Sequence, residues 1–231
     1  KIYIINKYKK KYNLSKNNIS VIPCGTDFDL FNPNNLKKNY LNNIKRKLKF
    51  KNKKILLYYG SVGENYLINK MIYFFKSINN YRNDWIFFFV VNNDKNLLKN
   101  ILLKKGISEK NFRIINSPRN KLPYYLSFAD LSIFYYREGM RSLGCSPTKL
   151  ADLFAMGIPI ITSRYLGDMD KIIKFEKNKS LLIDNMSKSL INMKVNKITN
   201  YNQKINIRQN SNYFNYEYGL KKYISIYESL I

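Results

Sequence analysis

Short, uninterrupted apolar runs alternate with longer helical patterns along the chain, and this alternation constrains the fold more than any other feature. The clearest runs cover residues 55–59, 85–91 and 158–162. Continuous apolar runs are typical of strands buried on both faces, and strands that alternate with helices form parallel sheets. The pattern therefore predicts an α/β fold with a doubly wound parallel sheet, in which ligands bind at the carboxyl ends of the strands.

The same pattern predicts strands and helices in the rest of the 231 residues. Further strands are predicted at residues 19–22, 112–115, 131–135 and 180–183. Helices are predicted at residues 2–13, 35–49, 67–79, 95–104, 122–128, 168–175 and 214–231, with weaker helical segments at 186–194 and 199–209. The segment 136–146 is predicted to be a loop. With no linker or internal repeat, the chain is predicted to form a single domain.

The charge of the chain is strongly positive, with 41 Lys and Arg against 15 Asp and Glu, a net charge of +26. Such a surface attracts nucleic acid or an anionic membrane. Compositional drift is the alternative, since Lys, Asn, Ile and Tyr are abundant together and the lysines are spread over every segment. No nucleic-acid motif accompanies the charge. We therefore expect no nucleic-acid partner, and membrane attraction only as a secondary consequence.

The chain has no His and two Cys. A serine-type catalytic triad and most zinc sites need His, and two cysteines cannot form a disulfide framework. No apolar run reaches the ~18 residues of a membrane span, and no signal peptide is evident. We expect a cytoplasmic protein, peripheral at most on the inner membrane face. The sequence does not begin with Met, which suggests a fragment.

Residues 142–163, SLGCSPTKLADLFAMGIPIITS, read as a loop, a capped helix and a buried strand. Ser146 is predicted as the N-cap and Pro147 as the first helical residue, and Gly157 ends the helix. A helix N-terminus fed by a small-residue loop favours anions. Lys149 in the first turn opposes the helix dipole, unless an anion lies between them. This unit predicts a site for a phosphate-bearing ligand.

A glycine loop and a group of basic residues accompany this helix. Gly60 and Gly63 flank a turn between a strand and a helix, where backbone can approach a diphosphate closely, although a simple tight turn also explains them. Arg137, Arg141 and Lys149 cluster around the helix start. Arg and Lys bind phosphate, but basic residues also cluster by chance in so basic a chain.

The acidic residues have open interpretations. Asp152 could hydrogen-bond a ribose hydroxyl, or could be an acid favoured by the helix dipole. Asp168 and Asp170 form an Asp-x-Asp pair, which we interpret as a helix start rather than a metal site. Asp27 and Asp29 are predicted to form turns.

Three stretches together resemble the C-terminal, donor-binding half of GT-B glycosyltransferases of the family 4 type. They are VIPCGTDFDLFNP at 21–33, LLYYGSVGENY at 56–66 and SPTKLADLFAMGIPIITS at 146–163. Their order and spacing agree with the family over essentially the whole chain. A subset of bacterial surface-polysaccharide transferases has a similar glycine-tyrosine loop and a Ser-Pro-Thr-Lys helix.

The chain departs from the family pattern in several places. The family has two Glu separated by seven residues, and these positions hold Gly144 and Asp152 here. Ser61 and Tyr66 stand at or near the family's usual Arg and Lys. The resemblance implies that Arg141 and Lys149 take over the phosphate contacts, while the sugar contact loses its carboxylate.

The resemblance implies a nucleotide-sugar-dependent glycosyltransferase that retains anomeric configuration without a metal or other cofactor. Asp152 would orient the ribose, and the loop at 116–118 would border the base. No catalytic residue is assigned. The predicted donor-binding residues are Gly60, Ser61, Val62, Gly63, Tyr66, Ser117, Arg141, Ser146, Pro147, Thr148, Lys149, Leu150 and Asp152.

The resemblance also implies that residues 1–231 are one donor-binding domain of a larger enzyme. Residues 1–20 and 210–231 would be junction helices toward an acceptor domain that the chain lacks, and the partners would be a nucleotide sugar and a glycan or lipid-linked acceptor. Two alternatives remain: a non-catalytic basic module that binds nucleic acid or anionic membrane, and a GT-B-like domain that binds nucleotide sugar without transfer or epimerises it.

Overall fold

The protein contains a six-stranded parallel sheet. The computed structural model describes residues 20–164, 166–169 and 207–230, together with residues 6, 8, 10–12, 172, 181, 182, 191 and 195. The strands are β1 Lys54–Tyr59, β2 Trp85–Val90, β3 Phe112–Ile115, β4 Leu131–Phe134, β5 Ile160–Thr162 and β6 Leu181–Leu182. Their order in the sheet is β3-β2-β1-β4-β5-β6, with every neighbouring pair parallel. The predicted doubly wound parallel sheet is confirmed.

Seven helices are bounded within the described residues. They are α1 Lys38–Lys47, α2 Ile68–Arg82, α3 Lys95–Lys104, α4 Leu122–Leu126, α5 Met140–Leu143, α6 Thr148–Ala155 and α7 Tyr216–Glu228. None of the helices in this described part has both the length and the hydropathy that a membrane span requires.

The centre of the sheet is buried on both faces, as the continuous apolar runs predict. Every residue of β2 is buried, and its register with β1 pairs Lys54 with Trp85 through Tyr59 with Val90. Phe75 of α2 stacks on Phe87 at a ring-centroid distance of 5.1 Å. Strand positions of this kind favour aromatic and β-branched residues because both faces pack against helices.

The strand order reverses beside β1. The chain runs outward from β1 through β2 to β3 and then returns to place β4 on the other side of β1. Sheets of this type bind ligands at such a switch point, outside the carboxyl ends of the strands. The loops that follow β1 and β4 meet there: Leu67 N–H donates to the Tyr135 carbonyl (3.0 Å), and Arg137 N–H donates to the Asn65 carbonyl (2.9 Å).

Two local predictions are wrong. Residues 20–22 form no strand. Shortly after them, Thr26 pairs with the C-terminal segment outside the sheet: its N–H donates to the Phe214 carbonyl, and its carbonyl accepts from Tyr216 N–H. Within the predicted loop 136–146, α5 forms. The Gly139 N–H donates to Ser142 Oγ (3.1 Å), which fixes the first turn of this short helix.

Several predicted elements fall partly outside the described residues. In the predicted helix 2–13, residues 6, 8 and 10–12 are helical and the others lie outside the description. The predicted elements at 168–175, 180–183, 186–194 and 199–209 also lie partly outside the described residues. Asp170 lies outside them as well.

The C-terminal helix α7 is confirmed, and one side of it is exposed and apolar. The exposed large apolar residues are Tyr216, Leu220, Tyr223, Ile224, Tyr227 and, just beyond the helix, Leu230. This is the side that the sequence predicts to pack on the other half of a larger enzyme, and that packing stays a prediction.

Candidate functional site

Helix α6 begins beside the switch point, one residue later than predicted. Pro147, with extended backbone (φ −64°, ψ 122°), is the N-cap, and its side chain makes no capping hydrogen bond. The prediction of Ser146 as the N-cap is therefore wrong, since the extended backbone of Pro147 delays the first helical turn to Thr148. Because proline has no side-chain acceptor, the N-cap does not occupy the first-turn N–H groups, which leaves this helix end suited to an anion.

Lys149 projects from this first turn into the protein, although it is charged at neutral pH in ordinary surroundings. It is only 7% exposed, and its Nζ has no hydrogen-bond partner among the described residues. Five aromatic rings surround Nζ, with centroids 4.4 to 5.9 Å away: Tyr66, Tyr58, Phe134, Tyr136 and Tyr59. Burial lowers the pKa of Lys149 from 10.5 to about 7. The rings stabilise a cation in part, but they provide no anion.

Gly60 makes room for this ammonium group. Its φ is +125°, a conformation that L side chains rarely adopt, and a Cβ placed on it would lie 2.7 Å from Lys149 Nζ. The fold thus brings the glycine loop after β1 against the first turn of α6. A residue other than Gly at position 60 would both strain the backbone and displace the lysine.

The rest of the glycine loop is held by its neighbours. The Tyr58 hydroxyl donates to the Ser61 carbonyl (2.5 Å), and the side chain of Asn93 bonds both the N–H and the carbonyl of Val62 (3.3 Å each). Ser61 and Gly63 are exposed. The loop is therefore fixed in position while part of its backbone faces solvent.

A cavity of about 230 Å³ lies next to the aromatic rings. Tyr66 and Tyr136 both line the cavity and contact Lys149 Nζ, so the lysine lies beside the cavity. Arg141 lines the cavity, is exposed, and donates to Asn65 Oδ1 (3.2 Å). Glu138 also lines it, close in sequence to the position where Gly144 replaces the family's carboxylate. The remaining lining residues are Asn65, Arg137, Gly139, Met140, Ser142 and Cys145.

Asp152, one turn further along α6, is 1% exposed and lies in a closed polar network. Its Oδ1 accepts from Thr26 Oγ1 (2.5 Å) and from Arg119 (2.7 Å). Its Oδ2 accepts from the Tyr59 hydroxyl (2.7 Å) and from the other terminal nitrogen of Arg119 (2.5 Å). Burial, followed by the Asp152 charge, raises the pKa of Tyr59 well above 10.0, so its hydroxyl stays a donor.

Sequence reasoning missed Arg119. Its guanidinium holds both oxygens of Asp152, also donates to Thr26 Oγ1 (2.9 Å), and stacks over the ring of Phe31 at 4.3 Å. The side chain is 53% exposed, so its outer face reaches solvent. One Arg among 41 basic residues has no distinguishing sequence signal, because its partners lie 33 and 93 positions away.

The other residues predicted to bind the donor differ in burial and in hydrogen bonding. Ser117 is buried and donates to the Pro118 carbonyl (3.0 Å), Leu150 belongs to the core, Thr148 is exposed and Pro147 is buried. Asp27 forms the predicted turn, since its Oδ1 accepts from the N–H groups of Asp29 and Leu30. The described residues contain no group of three or more Cys, Asp and Glu placed to hold a metal ion.

Comparison with known proteins agrees with this fold. Residues 40–214, well over half of the chain, match the family of glycosyl transferases group 1. The chain belongs to this family. No curated protein sequence matches it at a significant level.

Solved structures show the same fold at low sequence identity. A glycosyltransferase from Rickettsia africae is 15% identical with a TM-score of 0.72, and the match covers 98% of this chain and 61% of that one. WaaG, a glycosyltransferase involved in lipopolysaccharide biosynthesis, is 17% identical with a TM-score of 0.63, over 90% of this chain and 54% of its own. HepE from Anabaena, solved with UDP-glucose, is 12% identical with a TM-score of 0.66, and the match covers 91% of this chain and 57% of HepE.

These neighbours are GT-B glycosyltransferases, which confirms the predicted fold family. The chain spans between 54% and 61% of the length of these three proteins. Assignment to the family 4 type stays a prediction.

Proposed function

We propose that this chain is the donor-binding half of a glycosyltransferase that moves a sugar from a nucleotide-diphosphate sugar to a glycan or lipid-linked acceptor. The observation that carries the proposal is Lys149, a buried ammonium without a hydrogen-bond partner among the described residues, placed in the first turn of α6 against Gly60. Buried charges normally have partners, so a missing partner points to a ligand that supplies one.

The ligand that fits is an anion of diphosphate size with an organic group attached. The first turn of α6 offers its dipole, the glycine loop offers close backbone approach, and Lys149 and Arg141 offer positive charge close to Tyr66 and Tyr136. Phosphate oxygens accept hydrogen bonds from all three kinds of group. HepE, a structural neighbour, was solved with UDP-glucose, which supports a nucleotide sugar as the class of donor.

This arrangement gives the site a catalytic role. When the bond between sugar and diphosphate breaks, the leaving diphosphate gains negative charge. A cation and helix N–H groups that are held in place before the reaction stabilise that charge without reorganisation, and such electrostatic stabilisation often contributes more to catalysis than any other effect. Because burial desolvates the Lys149 ammonium, a bound diphosphate would also favour its charged state.

The proposal includes retention of anomeric configuration, transfer without a metal ion, and a location at the inner membrane face. The family resemblance supports the first two. The net charge of +26 supports attraction to an anionic membrane. The acceptor would bind where the other half of the enzyme meets this one.

The test is titration of the chain with UDP, GDP and a single-stranded oligonucleotide at moderate salt, followed by the variants Lys149→Ala and Arg141→Ala. We expect nucleotide diphosphates to bind, and each variant to lose about 1.5–3 kcal/mol of binding free energy, the usual value of a charge-assisted hydrogen bond. Unchanged affinity in both variants contradicts the site. Preference for the oligonucleotide, with a steep salt dependence, supports the basic-module alternative instead.

A further inference from the structure

We propose that an open groove between α2 and α3 binds the lipid end of the acceptor, an apolar chain joined through phosphate to the sugar that receives the transfer. This inference rests on the proposed function, because it names the class of acceptor for the same transfer. The groove has a volume of about 560 Å³, within the roughly 300–1,000 Å³ of ligand sites. Its floor is apolar, its edges are basic, and it adjoins the donor cavity.

The floor of the groove is made by aliphatic side chains. Helix α3 turns Leu98 and Leu102 into the core, where both are fully buried. Leu97 and Ile101, four residues apart on a neighbouring side of the same helix, line the groove, and Leu97 is 55% exposed. The other aliphatic residues of the lining are Val62, Leu67 and Ile68. An apolar chain placed here would bury surface that α3 leaves in water.

The edges of the groove carry four basic residues. They are Lys70 in the first turn of α2, Lys104 and Lys105 where α3 ends, and Arg137 in the loop after β4. None of the four forms an ion pair with another described residue. Glu64 is the one acid among the described lining residues, so positive charge is in excess. The groove is therefore complementary to an anionic group.

Aliphatic and cationic side chains together favour one class of acceptor over another. A free glycan presents hydroxyl groups, which both donate and accept hydrogen bonds, whereas Lys and Arg side chains only donate. Hydroxyl groups against an aliphatic floor would also be left without partners. A phosphate accepts hydrogen bonds from several cations at once, and an apolar chain suits the floor. An amphiphile with a phosphate head therefore matches both parts of the groove.

The groove meets the donor cavity at Tyr66 and Arg137, which line both. The ring of Tyr66 also lies 4.4 Å from Lys149 Nζ. Backbone hydrogen bonding fixes this junction, because Arg137 N–H donates to the Asn65 carbonyl (2.9 Å) and Tyr66 forms an antiparallel bridge with Tyr136. A ligand in the groove is therefore next to the donor cavity, as transfer between the two requires.

The experiment uses geranyl diphosphate, a short apolar chain with a diphosphate head, in calorimetric titration of the chain. UDP is titrated first and then kept at saturation, which keeps a second diphosphate out of the donor site. Geraniol and inorganic diphosphate each supply one half of the probe. We expect geranyl diphosphate to bind at least about tenfold more tightly than either, because only it contacts both the floor and the edges.

Two leucines of α3 provide a matched pair, since both are exposed and only Leu97, not Leu103, lines the groove. Leu97→Gln should weaken geranyl diphosphate binding about fivefold to tenfold, and Leu103→Gln should leave it within about twofold. Lys104→Gln should weaken it about threefold to fivefold. Lys95→Gln, at the other end of α3 and outside the lining, is the control for the loss of one charge. UDP titration of each variant checks that the donor site is intact.

The outcomes separate this inference from the function on which it rests. UDP binding without geranyl diphosphate binding overturns the inference and leaves the proposed function standing. Competition between the two ligands, equal affinity for inorganic diphosphate, or equal losses in Leu97→Gln and Leu103→Gln also overturn the inference. Binding of neither ligand overturns the proposed function and the inference with it. Binding in saturating UDP that weakens in Leu97→Gln and Lys104→Gln, and not in their controls, supports both.

Discussion

Lys149 and Asp152 lie almost one turn apart on the same helix, are both nearly fully buried, and have opposite hydrogen-bonding situations. The carboxylate of Asp152 accepts four hydrogen bonds from within the protein. The ammonium of Lys149 has no hydrogen-bond partner among the described residues and is surrounded by aromatic rings. The fold itself satisfies the Asp152 carboxylate, whereas the Lys149 ammonium is placed to receive a partner from a ligand.

The comparison separates two reasons for burying a charge. A satisfied charge rigidifies the structure around it, and its removal or the removal of its partner should lower stability. An unsatisfied charge opposes folding and is retained for function, so its removal should raise stability and abolish binding. Substitutions at Lys149 and at the partner of Asp152 test this distinction.

The largest effect on stability should follow from breaking the ion pair between Arg119 and Asp152. Arg119→Met leaves the buried Asp152 carboxylate without its ion-pair partner; since Arg119 is itself half exposed, we expect a loss of about 3 kcal/mol of unfolding free energy, the lower end of the range for buried pairs. Urea unfolding measures it. Arg46→Met, which removes an exposed arginine, should stay within about 0.5 kcal/mol. A loss below about 1 kcal/mol for Arg119→Met would show that the pair is not structural.

Replacement of Lys149 is expected to raise the unfolding free energy rather than lower it. Lys149→Met keeps the apolar stem among the rings and removes the ammonium that lacks a hydrogen-bond partner among the described residues, so the unfolding free energy should rise by about 2–3 kcal/mol. The same variant should lose affinity for UDP. A combined thermal-melt and titration experiment checks both; a variant that loses stability and affinity together would show that the lysine supports the fold.

The glycine that accommodates Lys149 provides a matched pair. Gly60→Ala strains a backbone with φ of +125° and pushes a methyl group to 2.7 Å from Nζ, so we expect a loss of about 1–2 kcal/mol of stability. Gly63→Ala, where a Cβ meets nothing within 4 Å, should leave stability nearly unchanged. Equal effects on unfolding at the two positions would argue against the proposed contact between the loop and the lysine.

A pH dependence is expected as well, and over a single pH unit near neutral it gives the smallest change of these. Because the pKa of Lys149 is about 7 in the folded protein and 10.5 in ordinary surroundings, the unfolded chain binds more protons between these values. Stability should therefore rise with pH over this window, and UDP affinity should fall above pH 7 by up to about 1.4 kcal/mol per pH unit. Lys149→Met should show neither trend at the same ionic strength, and a trend that survives in this variant would assign it to another group.

Burial also raises the pKa of the neighbouring groups that could confuse this measurement. Tyr58, Tyr59 and Tyr136 all have pKa values raised by burial, as has Cys145. These groups should stay neutral where Lys149 titrates. The pH profile of UDP binding is then expected to follow one group near neutral pH.

The sheet could be predicted from the sequence because its signals are local. The run from Trp85 is apolar throughout and is buried at every position as β2. Helix α3 has the predicted bounds, 95–104, with Leu98 and Leu102 on its buried side. In each case neighbouring residues alone determine which face meets the core.

The site could be predicted only where its signals are local as well. The glycine loop and the lysine of α6 follow from their own stretches of sequence. The capping of α6 does not, because the backbone of Pro147 rather than the side chain of Ser146 decides where the helix starts. Arg119 and its bonds to Asp152 and Thr26 cannot be inferred, since they depend on how distant segments come together.

The pairing of Thr26 with the C-terminal segment has a practical consequence for anyone who cuts this chain. A fragment designed on the range that matches the family, residues 40–214, would discard Thr26 and Phe31, the hydroxyl donor to Asp152 and the ring beneath Arg119. It would also discard Tyr216, whose N–H donates to Thr26. The excised piece would keep the six strands β1 to β6 yet lose part of the hydrogen-bond network that fixes α6, so a useful fragment starts before Thr26 and runs beyond Tyr216.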